Sequence, residues 1–216
     1  MEEKKHFYPI YINLLDKSCL IVGGGIVAQR KVENLLEYGA HIALVSPEIT
    51  PDIKHYANSG LIKVSEREFA PEDLENVFMV FIATDNSETN RVIAELCATR
   101  QILVNAVDDP PNCDFFVPAV VRRGSLSIAI STAGKSPMLA RRLREELENQ
   151  YTHEYGEYLD LLGEYREIIK NNIPDITIRK QVFNALIDLD IIDLLKAGER
   201  EKVRERVQEC ISSWQD

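Results

Sequence analysis

Through the first half of the chain, short and wholly apolar runs alternate with segments of helical spacing. Ser18–Val22 (SCLIV) is compact and apolar throughout, as a strand covered on both faces requires. Val27, Ala28, Lys31, Val32, Leu35 and Leu36 then follow a helical period, and Gly39 closes that helix at its C′ position. His41–Val45 predicts the next strand, residues 51–59 a helix ending at Gly60, and residues 61–64 a third short strand. Residues 77–83 (VFMVFIA) form the most strongly apolar run and predict a central strand. A helix over 86–100 and a strand over 102–107 follow, and residues 8–14 predict a short strand ahead of all these. Strands alternating with helices imply right-handed βαβ units, hence an α/β fold of Rossmann type with a doubly wound parallel sheet.

After Val107 the rhythm changes. Asp108-Asp109-Pro110-Pro111-Asn112 predicts a loop. Ala119–Arg123 and residues 125–131 alternate in hydropathy and meet near Arg123-Gly124, which predicts a hairpin. Ser136 is placed to cap a helix with Pro137 at its first position, running through Leu139, Leu143 and Leu147 to about Gln150. Residues 151–214 read as helical, broken near 171–175 and at Gly198. The expected division is residues 1–115, 116–150 and 151–216.

Composition narrows the options. The formal net charge of −10 argues against a nucleic-acid or membrane partner. The start of the chain lacks the apolar core of a signal peptide and no run reaches transmembrane length, so a cytoplasmic protein is expected. Cys19, Cys97, Cys113 and Cys210 are widely spaced and the four histidines are scattered, so no bound metal and no disulfide framework is expected. Cys19 and Cys97 read as small core residues. Against the acidic background, Arg122, Arg123, Lys135, Arg141, Arg142 and Arg144 face only Glu145, Glu146 and Glu148 between residues 119 and 148. This basic island suits an anionic ligand or a solvated helix face, and charge alone favours the latter.

Gly23-Gly24-Gly25-Ile26-Val27-Ala28 fits G-x-G-x-x-A directly after a buried strand and at the start of a helix. Gly23 permits the tight turn, Gly25 lets the backbone approach a pyrophosphate, and Ala28 lets the helix pack closely. The amides of the helix start, from Ile26 and Val27 on, supply donors and a positive dipole end. The first segment is therefore expected to bind a dinucleotide. The acid that normally ends the second strand and holds the ribose is missing, since the chain reads Val45-Ser46-Pro47-Glu48. Ser46 or Glu48 is left to reach the ribose. The absence of an adjacent arginine for a 2′-phosphate favours NAD. Thr84, after the next central strand, is expected to face the cofactor, and Asn105 and Asp108 to lie beside the nicotinamide. Asp108 is the candidate general base for a hydride transfer, its alternative being a turn-forming residue before Pro110. No Tyr-x-x-x-Lys pair occurs, which argues against a short-chain alcohol dehydrogenase.

These stretches, with Tyr8-Pro9-Ile10-Tyr11, Gln29-Arg30-Lys31, Asn105-Ala106-Val107-Asp108, Cys113-Asp114-Phe115, Pro118-Ala119, Ile128-Ala129-Ile130-Ser131-Thr132, Gly134-Lys135-Ser136-Pro137 and Leu139-Ala140-Arg141, resemble in their order the precorrin-2 dehydrogenase family, whose members often also act as sirohydrochlorin ferrochelatases. The resemblance covers residues 8–150; the helical tail carries no diagnostic motif. It implies NAD-dependent oxidation of precorrin-2, a carboxylate-rich tetrapyrrole, to sirohydrochlorin in siroheme synthesis, with Asp108 matching the catalytic aspartate. It implies that Ser46, Pro47 and Glu48 follow the family's own pattern at the cofactor. Arg122, Lys135, Ser136 and Arg141 would then meet substrate carboxylates. It further implies a homodimer, with the hairpin and following helix forming partner contacts. A chain of this length is expected to lack the methyltransferase domain some relatives carry, so that another protein supplies precorrin-2. Insertion of ferrous iron as a second substrate is the alternative within the family. An NAD-sensing regulatory module is the alternative outside it.

Overall fold

The structure, a computed structural model, describes residues 7–107 and 109–214. The chain divides into two units, Met1–Val117 and Pro118–Asp216.

In the first unit β1 (Ser18–Val22), β2 (His41–Val45), β3 (Lys63–Ser65), β4 (Met79–Ile82) and β5 (Leu103–Ala106) form one parallel sheet in the order β3-β2-β1-β4-β5. The helices between them are α1 (Ile26–Glu37), α2 (Pro51–Asn58) and α3 (Ser87–Arg100), with a 3₁₀ turn at Pro71–Leu74. Period-two alternation sorts the strand side chains between two apolar layers. Leu20, Val22, Val80 and Ile82 pack with Ile93 and Cys97 of α3 on one side. Cys19, Ile21, Leu44 and Phe81 pack with Val32 and Leu35 of α1 and Ile53 of α2 on the other. Burial pushes the Cys19 and Cys97 thiols up to about 11, as fits core residues.

The chain runs outward from β1 through β2 to β3, then returns to lay β4 and β5 on the opposite flank. Strand order reverses beside β1, so a crevice opens at the carboxyl ends of β1, β2 and β4. The glycine loop follows β1 at this point.

One predicted strand does not form. Residues 8–14 are without strand structure. Their alternation is real, since Ile12 and Leu14 pack on the α1 and α2 layer while Tyr8 and Tyr11 stay exposed. That packing gives the period of a strand without a ladder.

The second unit contains an antiparallel hairpin, β6 (Ala119–Arg123) and β7 (Leu126–Ile130), turned through Gly124 at φ +54. Five helices follow: α4 (Pro137–Gln150), α5 (Glu154–Asn172), α6 (Ile176–Ile187), α7 (Ile191–Lys196) and α8 (Arg200–Ser212). Ser136 caps α4, its Oγ accepting from Leu139 N at 3.3 Å. The last four helices share a core of Tyr158, Ile169, Val182, Leu186, Ile191, Val203 and Val207. Gly124 and Gly156 bring the hairpin turn against α5 backbone to backbone, and a Cβ on Gly124 would lie 3.1 Å from Gly156 Cα.

Candidate dinucleotide site

A cleft of about 680 Å³ opens over the glycine loop. Its walls are residues 22–27, 45–50, Glu68, Phe69, residues 83–86 and Thr89. The three loop glycines do different work. Gly23 has φ +117, and a Cβ there would overlap Ala83 O at the end of β4. Gly24 stands at the position the motif leaves free, yet it is tightly enclosed. A Cβ on it would overlap Glu48 O and come within 2.8 Å of Ser46 Oγ. Gly25 is the reverse: a Cβ there meets nothing within 4 Å.

Gly25 is also the N-cap of α1, with no side-chain cap and no acid in the first helical turn. The first intrahelical bond runs from Gln29 N to Gly25 O at 3.0 Å, so the first-turn amides of Ile26, Val27 and Ala28 have no helical acceptor. Ile26 and Val27 are exposed on the cleft wall. Open space above an uncapped helix start is what a pyrophosphate requires, and these residues fit the group.

A polar network fixes the loop. Gly23 N donates to Val45 O at 2.9 Å and Thr50 N donates to Gly24 O at 3.0 Å. Thr50 Oγ1 donates to Gln29 Oε1 at 2.9 Å, and Gln29 Nε2 donates to Asp52 at 2.8 Å and Glu33 at 3.0 Å. The glycine loop, α1 and the start of α2 are thus tied by one glutamine and one threonine.

Ser46 is buried, and its hydroxyl donates to Glu48 O at 2.7 Å. Pro47 and Glu48 lie exposed on the cleft wall. Thr84 lines the cleft as well, its Oγ1 donating to Asn90 Oδ1. Asn105 is buried at β5 and donates to Phe115 O at 2.9 Å, stapling the 113–115 segment to the sheet; it is not among the lining residues. Asp108 lies outside the described residues. Lys31 is half-buried on α1 with Nζ 5.3 Å from the centre of the Phe81 ring, and burial holds its pKa below the ordinary lysine value.

The basic island resolves into separate roles. Arg123 is a structural residue of the second unit. It donates to Tyr151 O at 2.9 Å, Arg122 O at 2.8 Å and Glu148 O at 3.2 Å. Arg141, Arg142 and Arg144 pair with Glu145, Glu146 and Glu148 one turn along α4, at 2.8, 3.0 and 3.1 Å. Arg122 and Lys135 are exposed. Among the described residues no cluster of three or more His, Cys, Asp or Glu is arranged to hold a metal ion. No helix there is long and apolar enough to cross a membrane.

Three family models match consecutive stretches. Residues 10–119 match "Putative NAD(P)-binding", residues 123–150 match "Sirohaem biosynthesis protein central", and residues 154–211 match "Sirohaem synthase dimerisation region". The chain is 35% identical over 210 residues to "Siroheme synthase" of Thioalkalivibrio sulfidiphilus, covering 97% of this chain and 43% of that protein. It is 34% identical over 211 residues to "Siroheme synthase 1" of Pectobacterium atrosepticum, covering 98% and 44%. The chain therefore spans less than half the length of these curated relatives. The solved structure of "SirC, precorrin-2 dehydrogenase" matches with a TM-score of 0.77 at 30% identity, covering 95% of this chain and 100% of that one.

Proposed function

The chain belongs to the sirohaem synthase family, and from that premise we propose that it is a cytoplasmic NAD-dependent precorrin-2 dehydrogenase acting as a homodimer. The observation that carries this reading is the match along the whole of SirC, a protein titled for that activity. The matches to longer siroheme synthases alone would leave open which part of their work this chain performs. The dimerisation-region match over residues 154–211 supports the homodimer.

In this reading the α1 amides and Gly25 hold the pyrophosphate, and Glu48, Ser46 and Thr84 stand at the cleft wall that positions the rest of the cofactor. NAD, bound there, would supply the acceptor for a hydride from the tetrapyrrole. Asp108 accepts the accompanying proton, so that two electrons and two protons leave precorrin-2 and NADH, H⁺ and sirohydrochlorin result. Asn105 would hold the 113–115 segment against β5 through its bond to Phe115 O. Arg122, Lys135, Ser136 and Arg141 are the proposed contacts for substrate carboxylates. The Arg141–Glu145 pair is a solvent-exposed helix pair, weak enough for a substrate carboxylate to displace Glu145.

The test is anaerobic incubation of the protein with precorrin-2 and NAD. NADH and the sirohydrochlorin spectrum should appear together, and Asp108→Ala should lower the rate at least about 100-fold while still binding NAD. Absence of both products from the native protein refutes the dehydrogenase reading. Equal NAD binding with no turnover in either protein favours a sensing module. Sirohydrochlorin with ferrous iron and no NAD separates out the ferrochelatase activity, which would appear as metallation above the uncatalysed control.

A further inference from the structure

The second strand of this fold ordinarily ends in an acid that holds the adenosine ribose, and here that position belongs to Ser46. Its hydroxyl proton is directed into the chain, onto Glu48 O, so the residue shapes the turn around Gly24. A carboxylate for the ribose, if the site has one, comes from another residue of the cleft wall.

The β3 edge supplies one. β3 pairs with β2 in parallel, Val45 opposite Ser65, and Ser46 N extends that pairing by donating to Ser65 O at 3.2 Å. Arg67 N donates to the same carbonyl at 2.9 Å, which turns the chain immediately after the strand. Glu68 and Phe69 are thereby placed on the cleft wall at the end of β2. The turn is clamped by side chains. Arg67 Nη1 donates to Glu68 O at 2.9 Å and to Asp73 Oδ2 at 2.8 Å, and Asp73 Oδ2 accepts from Ala70 N at 2.8 Å. Glu68 is therefore carried on a braced loop, beside an aromatic ring half-buried against the α3 layer.

The same clamp engages the base that precedes Glu68 in the chain. Arg67 is held by Asp73, whose side chain is only 10% exposed. The residues lining the cleft include Glu48, Glu68 and Asp85 and no lysine or arginine. Asp85 follows β4, on the opposite flank of β1. Glu48 shares the end of β2 with Glu68, but its sequence neighbours there, Pro47 and Ile49, carry no aromatic ring.

We propose that Glu68, on the clamped loop after β3, replaces the missing strand-end acid: it accepts hydrogen bonds from the adenosine ribose of NAD and repels the 2′-phosphate of NADP. The proposal rests on the dinucleotide reading of the cleft. Selectivity built on repulsion needs only a like charge at the right wall, with no new attractive contact. It must also weaken as salt screens that charge.

Equilibrium titration calorimetry of NAD⁺ and NADP⁺ into the full chain, without substrate and at low and high salt, tests it. The native protein should prefer NAD⁺ by at least about tenfold at low salt, with the preference shrinking as salt rises. Glu68→Gln should cut that preference about fivefold, and Glu68→Arg should reverse it. Glu48→Gln, which removes the other acid at the end of β2, should lower the ratio less than Glu68→Gln does. An unchanged ratio in both Glu68 variants overturns the assignment, as does a collapse in Glu48→Gln alone. If the native protein bound neither nucleotide, the dinucleotide reading and this one would fall together. A native protein that binds NAD⁺ with Glu68 variants of unaltered selectivity sinks only this one. Glu68 is exposed and its side chain supports no other described group, so both variants are expected to fold.

Discussion

Around the glycine loop the N-terminal unit presents backbone amides and open space, whereas along α4 the C-terminal unit presents arginines already bonded to glutamates. The first arrangement is prepared before any ligand arrives: Gly23 and Gly24 are fixed by neighbouring carbonyls, and only Gly25 is left uncrowded. The second must give something up, because each guanidinium has a partner one helical turn away. Basic composition thus overstates the charge α4 offers, while the glycines understate how differently three adjacent identical residues behave.

Substitutions within each region sharpen this contrast. The largest effect should come from Gly24→Ala, whose methyl has no room beside Glu48 O and should cost about 3 kcal/mol or more, read as a lowered denaturation midpoint. Gly25→Ala should leave the midpoint nearly unchanged yet weaken NAD⁺ about tenfold in a titration, since its methyl intrudes only on the ligand's space. A matched loss of stability in both would erase the distinction. In the second unit Arg123→Gln removes donors from three carbonyls and should cost about 1–3 kcal/mol. Arg141→Gln should change stability by less than about 0.5 kcal/mol and raise the KM for precorrin-2 a few-fold with kcat unchanged. An unaltered KM would return Arg141 to the role of a helix-surface residue.

The smallest effect concerns acid stability. The Arg67 hydrogen bonds, reinforced by Ala70 N–H, hold the Asp73 carboxyl below its ordinary range. A depressed carboxylate contributes stability that is fully present above the unfolded-state value near 4 and is lost as pH falls through the folded-state value. Thermal midpoints taken from neutral to strongly acidic pH should therefore decline less steeply in Asp73→Asn, from a starting point a few degrees lower. An identical acid slope would show that the clamp contributes nothing to stability.

Much of the first unit is legible because its elements announce themselves locally. Ser18–Val22 is apolar enough to be buried on both faces, and Gly39, at φ +68, ends α1 where the helical period stops. The hairpin and the cap at Ser136 are equally local. What escapes the sequence depends on distant partners. The break between α6 and α7 falls at Asp188-Leu189-Asp190, with no glycine or proline to mark it, because packing of Leu186 and Ile191 into one core sets the bend. Gly24 is constrained by a carbonyl twenty-four residues away, so its motif position looks free. Glu68 reaches the cleft only through the pairing of β3 with β2, which no spacing rule encodes. Residues 8–14 show the opposite error, a strand period produced by side-chain packing without a ladder.

A nucleotide held at the uncapped start of α1 would also tie cofactor supply to the persistence of the folded chain. Most helices borrow a side chain to occupy their first amides, and α2, α3, α4 and α6 do so here through Thr50, Asn86, Ser136 and Asp175. α1 has no such group, and neither have α5, α7 and α8, but α1 starts on the glycine loop, so an anion that occupied its amides would complete the helix and favour the native state by mass action. At a nucleotide concentration one hundred times its Kd, that linkage amounts to about 2.7 kcal/mol. Unfolding and proteolysis of this chain would then report the size of the surrounding NAD pool.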